Sequence, residues 1–178
     1  MGEITVRRER PKDRAAIRSL IVETFSAAYS TGDLEADLVE RLREQTAFGA
    51  NISLVALQND LLVGHVFFSG VRIVEHPHIA ACALAPLGVS PPIQRRGIGS
   101  ILVEQGLSAC RGAGYKVVFV QGSSAYYTRF GFAPVGQFNL RTVFLSEYDM
   151  ALPINDGALD AVSGLVDYPT PWDPLRAE

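Results

Sequence analysis

Residues 87–113 read LGVSPPIQRRGIGSILVEQGLSACRGA, and the changes of character within them decide the fold. The apolar run before them, residues 80–89, stops at Ser90-Pro91-Pro92, because proline has no N–H with which to continue a strand ladder. Gln94, Arg95, Arg96 and then Gly97-Ile98-Gly99 follow. Glycine permits backbone angles and close approaches that a side chain forbids. Beyond Gly97, residues Ile98, Leu102, Val103, Leu107, Ala109 and Cys110 share one side of a helix, and Ser100, Glu104, Ser108 and Arg111 share the other. The spacing therefore predicts a strand, a glycine turn and a helix start. Such a start leaves backbone N–H groups unpaired at the positive end of the helix dipole, and Arg95 and Arg96 add two cations. This combination suits an anion, most simply a phosphate.

Two phosphate-loop signatures fail here. The dinucleotide fingerprint needs a third glycine where Leu102 stands, and no Gly-Lys-Ser/Thr follows as a triphosphate loop requires. On the two glycines alone, an ordinary strand-to-helix turn explains the stretch equally well.

Gln94-Arg95-Arg96-Gly97-Ile98-Gly99 resembles the Q/R-x-x-G-x-G/A signature of the GCN5-related N-acetyltransferase (GNAT) superfamily. Downstream, Tyr126-Tyr127-Thr128-Arg129-Phe130-Gly131-Phe132 is similar to its Y-x-x-x-G-F segment. Order and spacing agree, and Ala125-Tyr126-Tyr127 with Phe130-Gly131-Phe132 more narrowly resembles the YhbS type. The resemblance implies an α/β fold with a central mixed sheet and helices on both faces. In that fold a V-shaped splay opens between two parallel strands, here the one ending at Val89 and the one over residues 116–121. It also implies an acetyl-CoA-dependent N-acetyltransferase acting on a primary amine by direct attack in a ternary complex. The acetyl-CoA diphosphate would lie on the backbone of Arg96, Gly97, Ile98, Gly99 and Ser100, with Gln94 and Arg95 beside it. Leu87, Gly88 and Val89 would pair with the pantetheine amides like an added strand.

Tyr127 stands four residues before Gly131, where the superfamily places a general acid. A thiol near 8.5 and a phenol near 10 make full proton transfer uphill by roughly 2 kcal/mol, so Tyr127 is expected mainly to hydrogen-bond the leaving thiolate. The structural alternative makes it a core aromatic beside Phe130 and Phe132, and Tyr126 is read as a packing or coenzyme-wall residue. An alkyl amine must lose a proton before it attacks, yet residues 79–89 hold no carboxylate. Glu23, Glu40 and His65 are candidate bases, each also explained structurally. The missing base keeps open a non-catalytic acyl-CoA sensor, and a phosphate- or nucleotide-binding regulator is a further rival. Glu35, Asp37, Glu40 and Glu44 hint at a cationic acceptor, although a solvated helix face explains them more simply. Neither motif contains cysteine, which argues against a covalent acetyl-enzyme.

The 178 residues suffice for one well-buried core. A net charge of −3 lacks the basic excess of a general nucleic-acid binder, and no apolar run is long enough to span a membrane. MGEITVRRERPK lacks the apolar core of a signal peptide, so a cytoplasmic location is expected. Cys82 and Cys110 read as small buried hydrophobes rather than a disulfide. Glu75-His76-Pro77-His78 reads as a solvated hairpin tip, and no metal is expected.

The remaining chain reads as a strand over 3–8, a helix over 13–29 and a second helix capped by Asp33, with Asp37 and Arg41 paired on its wet side. Strands over 51–58 and 61–74 follow, with bulges at Gly64 and Gly70. Later strands are expected at 116–121, 132–135 and 141–150, with a short helix around the two tyrosines capped by Ser123 or Ser124. Residues 1–152 are expected to form the catalytic domain. Residues 153–178 would pack on it through Leu159, Val162, Leu165 and Trp172. Monomer and homodimer both stay open.

Overall fold

The computed structural model describes residues 2–175. The strand β1 (Ile4–Arg8) leads into helices α1 (Arg14–Tyr29) and α2 (Gly32–Glu44), then strands β2 (Ile52–Gln58), β3 (Leu61–Ile73) and β4 (Ala81–Val89). Next come α3 (Ile98–Gly112), β5 (Val117–Gln121) and the single turn α4 (Ser124–Tyr127). Four short strands finish the chain: β6 (Ala133–Pro134), β7 (Leu140–Thr142), β8 (Asp149–Pro153) and β9 (Gly164–Asp167). The main sheet runs β1-β2-β3-β4-β5-β8-β6. Within it only β4 and β5 are parallel, as the intervening α3 crossover requires.

Both faces of the central strands are covered, which is why β3, β4 and β5 read as nearly unbroken apolar runs. One face packs Phe68, Cys82, Leu84, Val118 and Val120 against Leu102 and Val103 of α3. The other packs Phe67, Ala83 and Phe119 against Leu38, Val39 and Leu42 of α2, and against Leu159, Val162 and Trp172. Each fully buried aliphatic or aromatic side chain stabilises the fold by roughly 1.5–3 kcal/mol.

Several expectations are corrected in detail. The chain leaves α1 through Ser30, which is left-handed at φ 61, and α2 begins at Gly32, with Thr31 rather than Asp33 at its N-cap. A side chain at Gly32 would run into Val22 of α1, so the two helices cross closely there. Asp37 pairs with Arg18 of α1 at 2.8 Å, not with Arg41, whose Nε donates to the Asp37 backbone oxygen instead. A register shift falls at Ala56/Leu57, opposite the Gly64 region, and a second lies between Val66 and Phe68. Gly70 itself stays in register with Cys82, and its bare Cα makes room for the Phe48 backbone.

The strand expected over 141–150 is two strands separated by a turn. Thr142 Oγ1 and the Ser146 N–H both donate to the Asp149 carboxylate, and Leu145 is left-handed at φ 50. Beyond Pro153 the chain also contributes a strand. The strand β9 pairs antiparallel with the end of β3, at Arg72↔Asp167 and Ile73↔Val166, and parallel with β7. The 75–78 tip is braced by it, with Glu75 accepting the Leu165 N–H at 2.9 Å. Leu159, Val162 and Trp172 are buried, while Leu165 is half-buried. Residues 176–178 of that segment lie outside the described residues. No helix among the described residues is long and apolar enough to cross a membrane.

Candidate active site

Strands β4 and β5 pair only from Ala81↔Val117 to Leu84↔Val120. Beyond Leu84, β4 runs on to Val89 along β3 alone, so its other edge is open. Alternate residues of a strand present their N–H and C=O groups to opposite neighbours. The Ser90 N–H donates to Val63 O on the β3 side at 2.9 Å; Leu87 and Val89 therefore turn theirs toward the gap. The parting strands open a cleft of about 1390 Å³, lined from both faces of the sheet.

At the mouth of the gap the chain turns through Pro91–Ile93 and enters α3. Arg95 and Gly97 are both left-handed, at φ 60 and 85, a conformation that costs a non-glycine residue about 1 kcal/mol or more. The alternation directs successive amides toward one concave side. The first intrahelical bond of α3 is Ile101 N–H to Gly97 O, and among the described residues the N–H groups of Arg95 through Ser100 have no backbone or side-chain acceptor. A Cβ at Gly97 would meet nothing within 4 Å. These bare amides, with the Arg95 cation, have the chemistry to receive a diphosphate, and their open side leaves room for one.

Gln94 also braces the loop, because its Nε2 donates to Val89 O at 2.9 Å and ties the loop to the end of β4. Thr24 Oγ1 of α1 donates to the same oxygen at 3.3 Å. The Val89 carbonyl is thus engaged within the chain, which leaves Leu87 as the expected residue with backbone groups free for an added strand. Leu87, Val89, Gln94, Arg95, Gly97, Ile98, Gly99, Ser100, Tyr126 and Tyr127 all line the cleft; Gly88 and Arg96 do not. Gly88 instead faces α1, where a Cβ would lie 2.9 Å from Ile21 Cδ1. Arg96 is exposed.

Tyr127 is only 8% exposed and stands edge-on to Phe132 at 5.7 Å and to Tyr126 at 4.9 Å. Its ring packs into the α3-side core while the residue also lines the cleft. Burial first, and then the neighbouring phenols of Tyr126 and Tyr29, push its pKa well above the ordinary tyrosine value. The phenol is held firmly protonated and is a hydrogen-bond donor. The Tyr126 hydroxyl lies 2.7 Å from where a Gly99 Cβ would be, so the absent side chain at Gly99 accommodates this tyrosine. The Arg129 guanidinium stacks 3.9 Å from the Tyr126 ring centroid and orders it.

None of the three candidate bases lines this cleft. Glu23 is exposed, and Glu40 pairs with Arg43 at 2.8 Å. His65 is fully buried and bonds Ser53 Oγ at 2.9 Å, its pKa lowered chiefly by that burial. A carboxylate does line the cleft: Glu35, in the first turn of α2. Tyr29, Phe144, Tyr148, Tyr168 and Trp172 also reach it. The sequence named Glu35 only within an acidic group and Trp172 only as a packing residue, and gave no sign of Tyr29, Phe144, Tyr148 or Tyr168, because these residues come from four separate segments with no shared spacing. The acidic content of α2 was the one usable signal, and it does not say which carboxylate faces inward.

A mixed sheet whose two parallel strands part beside an uncapped glycine-rich helix start is the architecture of the acyl-CoA N-acyltransferase fold. The chain belongs to the acetyltransferase (GNAT) family, whose model matches residues 14–132. It is 32% identical over 167 residues to the uncharacterized N-acetyltransferase YhbS of Escherichia coli K12, covering 92% of this chain and 95% of that one. It is 37% identical over 118 residues to YjhQ of the same organism, covering 64% of this chain and 61% of that one. Among solved structures, E. coli YhbS in complex with CoA superposes with a TM-score of 0.87 at 30% identity, over 97% of this chain and 93% of that one. A GNAT family acetyltransferase of Brucella melitensis in complex with acetyl-CoA gives 0.79, also at 30% identity, over 97% and 100%.

Proposed function

We propose that the protein transfers the acetyl group of acetyl-CoA directly to a primary amine in a ternary complex. The run of acceptor-free amides from Arg95 to Ser100, at the mouth of the β4–β5 gap, carries this reading. Charge-assisted bonds from such amides to a diphosphate are the strongest a loop can offer. They would direct the pantetheine arm into the gap past Leu87, where strand-like pairing continues. The acetyl thioester then reaches the level of Tyr127. An amide at the splayed edge polarises the acetyl carbonyl, the amine nitrogen attacks the carbonyl carbon, and the C–S bond breaks. Tyr127 donates a hydrogen bond to the departing thiolate, while its raised pKa keeps it from surrendering the proton outright.

Release of free thiol from acetyl-CoA in the presence of an amine panel tests the reading. Turnover that requires both substrates supports it. Tight acetyl-CoA binding without turnover on any amine would favour the sensor, and tight ATP binding without acetyl-CoA binding would favour a nucleotide-binding regulator.

A further inference from the structure

The cleft has two arms, and only one is explained by the donor. On the α3 face it is walled by Ile98, Gly99, Ser100 and Tyr126; on the α1–α2 face by Phe25, Thr31, Glu35, Tyr168 and Trp172. The second arm lies across the sheet from the amides of Arg95 to Ser100. Its rim carries exposed aromatics, with Tyr29 at 72% and Tyr148 at 54% exposure. Phe144, Tyr168 and Trp172 form a cluster at its base, with ring centroids 4.9 to 6.1 Å apart. Aromatic faces attract cations, and Glu35 is the one carboxylate among the described residues lining the cleft.

Glu35 has no hydrogen bond or ion pair within the described residues, unlike most carboxylates around it. Asp33 and Asp37 of its own helix pair with Arg18, at 3.6 and 2.8 Å, and Glu40 pairs with Arg43. Of the elements packed on α2, α1 carries the titratable groups Arg14, Arg18, Glu23 and Tyr29, β3 carries His65 and Arg72, and the 170–175 turn carries Asp173. None of them bonds the Glu35 carboxylate or shifts its ionisation. Loss of water is the sole cause acting on it, and raises its pKa to about 7. A half-buried carboxylate without a partner, facing a cleft, is destabilising unless a ligand supplies the counter-charge.

Resting on the transferase reading above, we infer that Glu35 receives the ammonium group of a cationic alkyl amine acceptor and takes the proton that the amine must lose before it attacks. The proton passes from the ammonium nitrogen to the Glu35 carboxylate, and the freed lone pair attacks the acetyl carbon. The tetrahedral adduct then expels the thiolate and sheds its second N–H proton to water. The thiolate regains one proton and Glu35 returns its own to solvent, so one proton is released per amide formed. The α2 location explains why β4 can lack a carboxylate.

Glu35→Gln, Glu35→Asp and wild type are compared on panels of alkyl amines and of aryl amines, the latter already neutral at pH 7, with CoA affinity measured in parallel. Glu35→Gln should lose about 10²-fold in kcat/KM on alkyl amines, keep aryl amine transfer within severalfold, and bind CoA unchanged. Glu35→Asp should recover part of the alkyl amine activity. In wild type, kcat/KM for alkyl amines should rise through about pH 7, and this limb should vanish in Glu35→Gln. Equal losses on both panels, or none, overturn the proposal while leaving the transferase reading intact. A wild type that binds CoA yet acetylates neither panel overturns both.

Discussion

In the proposed reaction Tyr127 combines packing and chemistry in one side chain, and the two separate cleanly under mutation. Tyr127→Phe keeps the ring against Phe132 and Tyr126 and removes only the O–H. Stopped-flow thiol release should therefore show kcat lower by about 10²-fold, with CoA affinity and thermal midpoint close to wild type; an unchanged kcat would reduce Tyr127 to a core residue. This residue was legible because four-residue spacing to Gly131 is a local property. Glu35 was not. Its four acidic companions on α2, Asp33, Asp37, Glu40 and Glu44, carry the same charge in sequence, and only the arrival of the 168–175 segment and the α1 crossing decides that Glu35 faces the cleft while Asp37 meets Arg18.

Among the elements, the β4–loop–α3 unit was the most readable, since prolines, glycines and helical periodicity all act over a few residues. Its glycines turn out to have distinct jobs. Gly97 supplies the left-handed turn into open space, Gly99 admits the Tyr126 hydroxyl, and Gly88 admits α1. Gly97→Ala should cost about 1–2 kcal/mol in urea unfolding, since φ 85 strains an L-residue. If the amides hold the diphosphate, the same change weakens CoA binding about tenfold, the equivalent of 1.4 kcal/mol; unaltered affinity would place the diphosphate elsewhere. Two features were out of reach. The part of β4 that splays is set by where pairing with β5 ends, and β9 finds β3 across more than ninety residues, a partnership that short-range periodicity cannot encode.

At the level of the whole molecule, we propose that residues 153–175 and the described residues before them fold as one unit. Trp172 is 4% exposed, and its indole N–H donates to Ser69 Oγ on β3 at 3.3 Å. Trp172→Ala should cost about 3–5 kcal/mol in a single unfolding transition seen alike by fluorescence and circular dichroism; a separate early step would mark the segment as an independent appendage.

Two carboxylates give stability opposite pH dependences. For Glu9 the largest influence, burial, raises the pKa, but the nearby His65 ring at 3.8 Å, the hydrogen bond from Ser53 and the Arg43 guanidinium outweigh it and hold the group at about 2. Its stabilisation is present above the ordinary value near 4.5 and is lost as pH falls toward 2, on the order of 3 kcal/mol. Glu35 runs the other way. With its pKa raised from 4.5 to about 7, its contribution is full below pH 4.5 and declines as pH climbs to 7. Glu35→Gln should accordingly melt above wild type at pH 8 and level with it at pH 4, whereas Glu9→Gln should melt well below wild type at pH 7 and converge with it in acid. Calorimetric melts at the two ends of the range distinguish these signs.

The amides between Arg95 and Ser100 bear the weight of the functional reading, and a crystal structure with bound CoA interrogates them directly. Diphosphate oxygens about 3 Å from those N–H groups, with the thiol beside the Tyr127 hydroxyl, are what the geometry predicts. A CoA molecule seated elsewhere, with those N–H groups still empty, would contradict it.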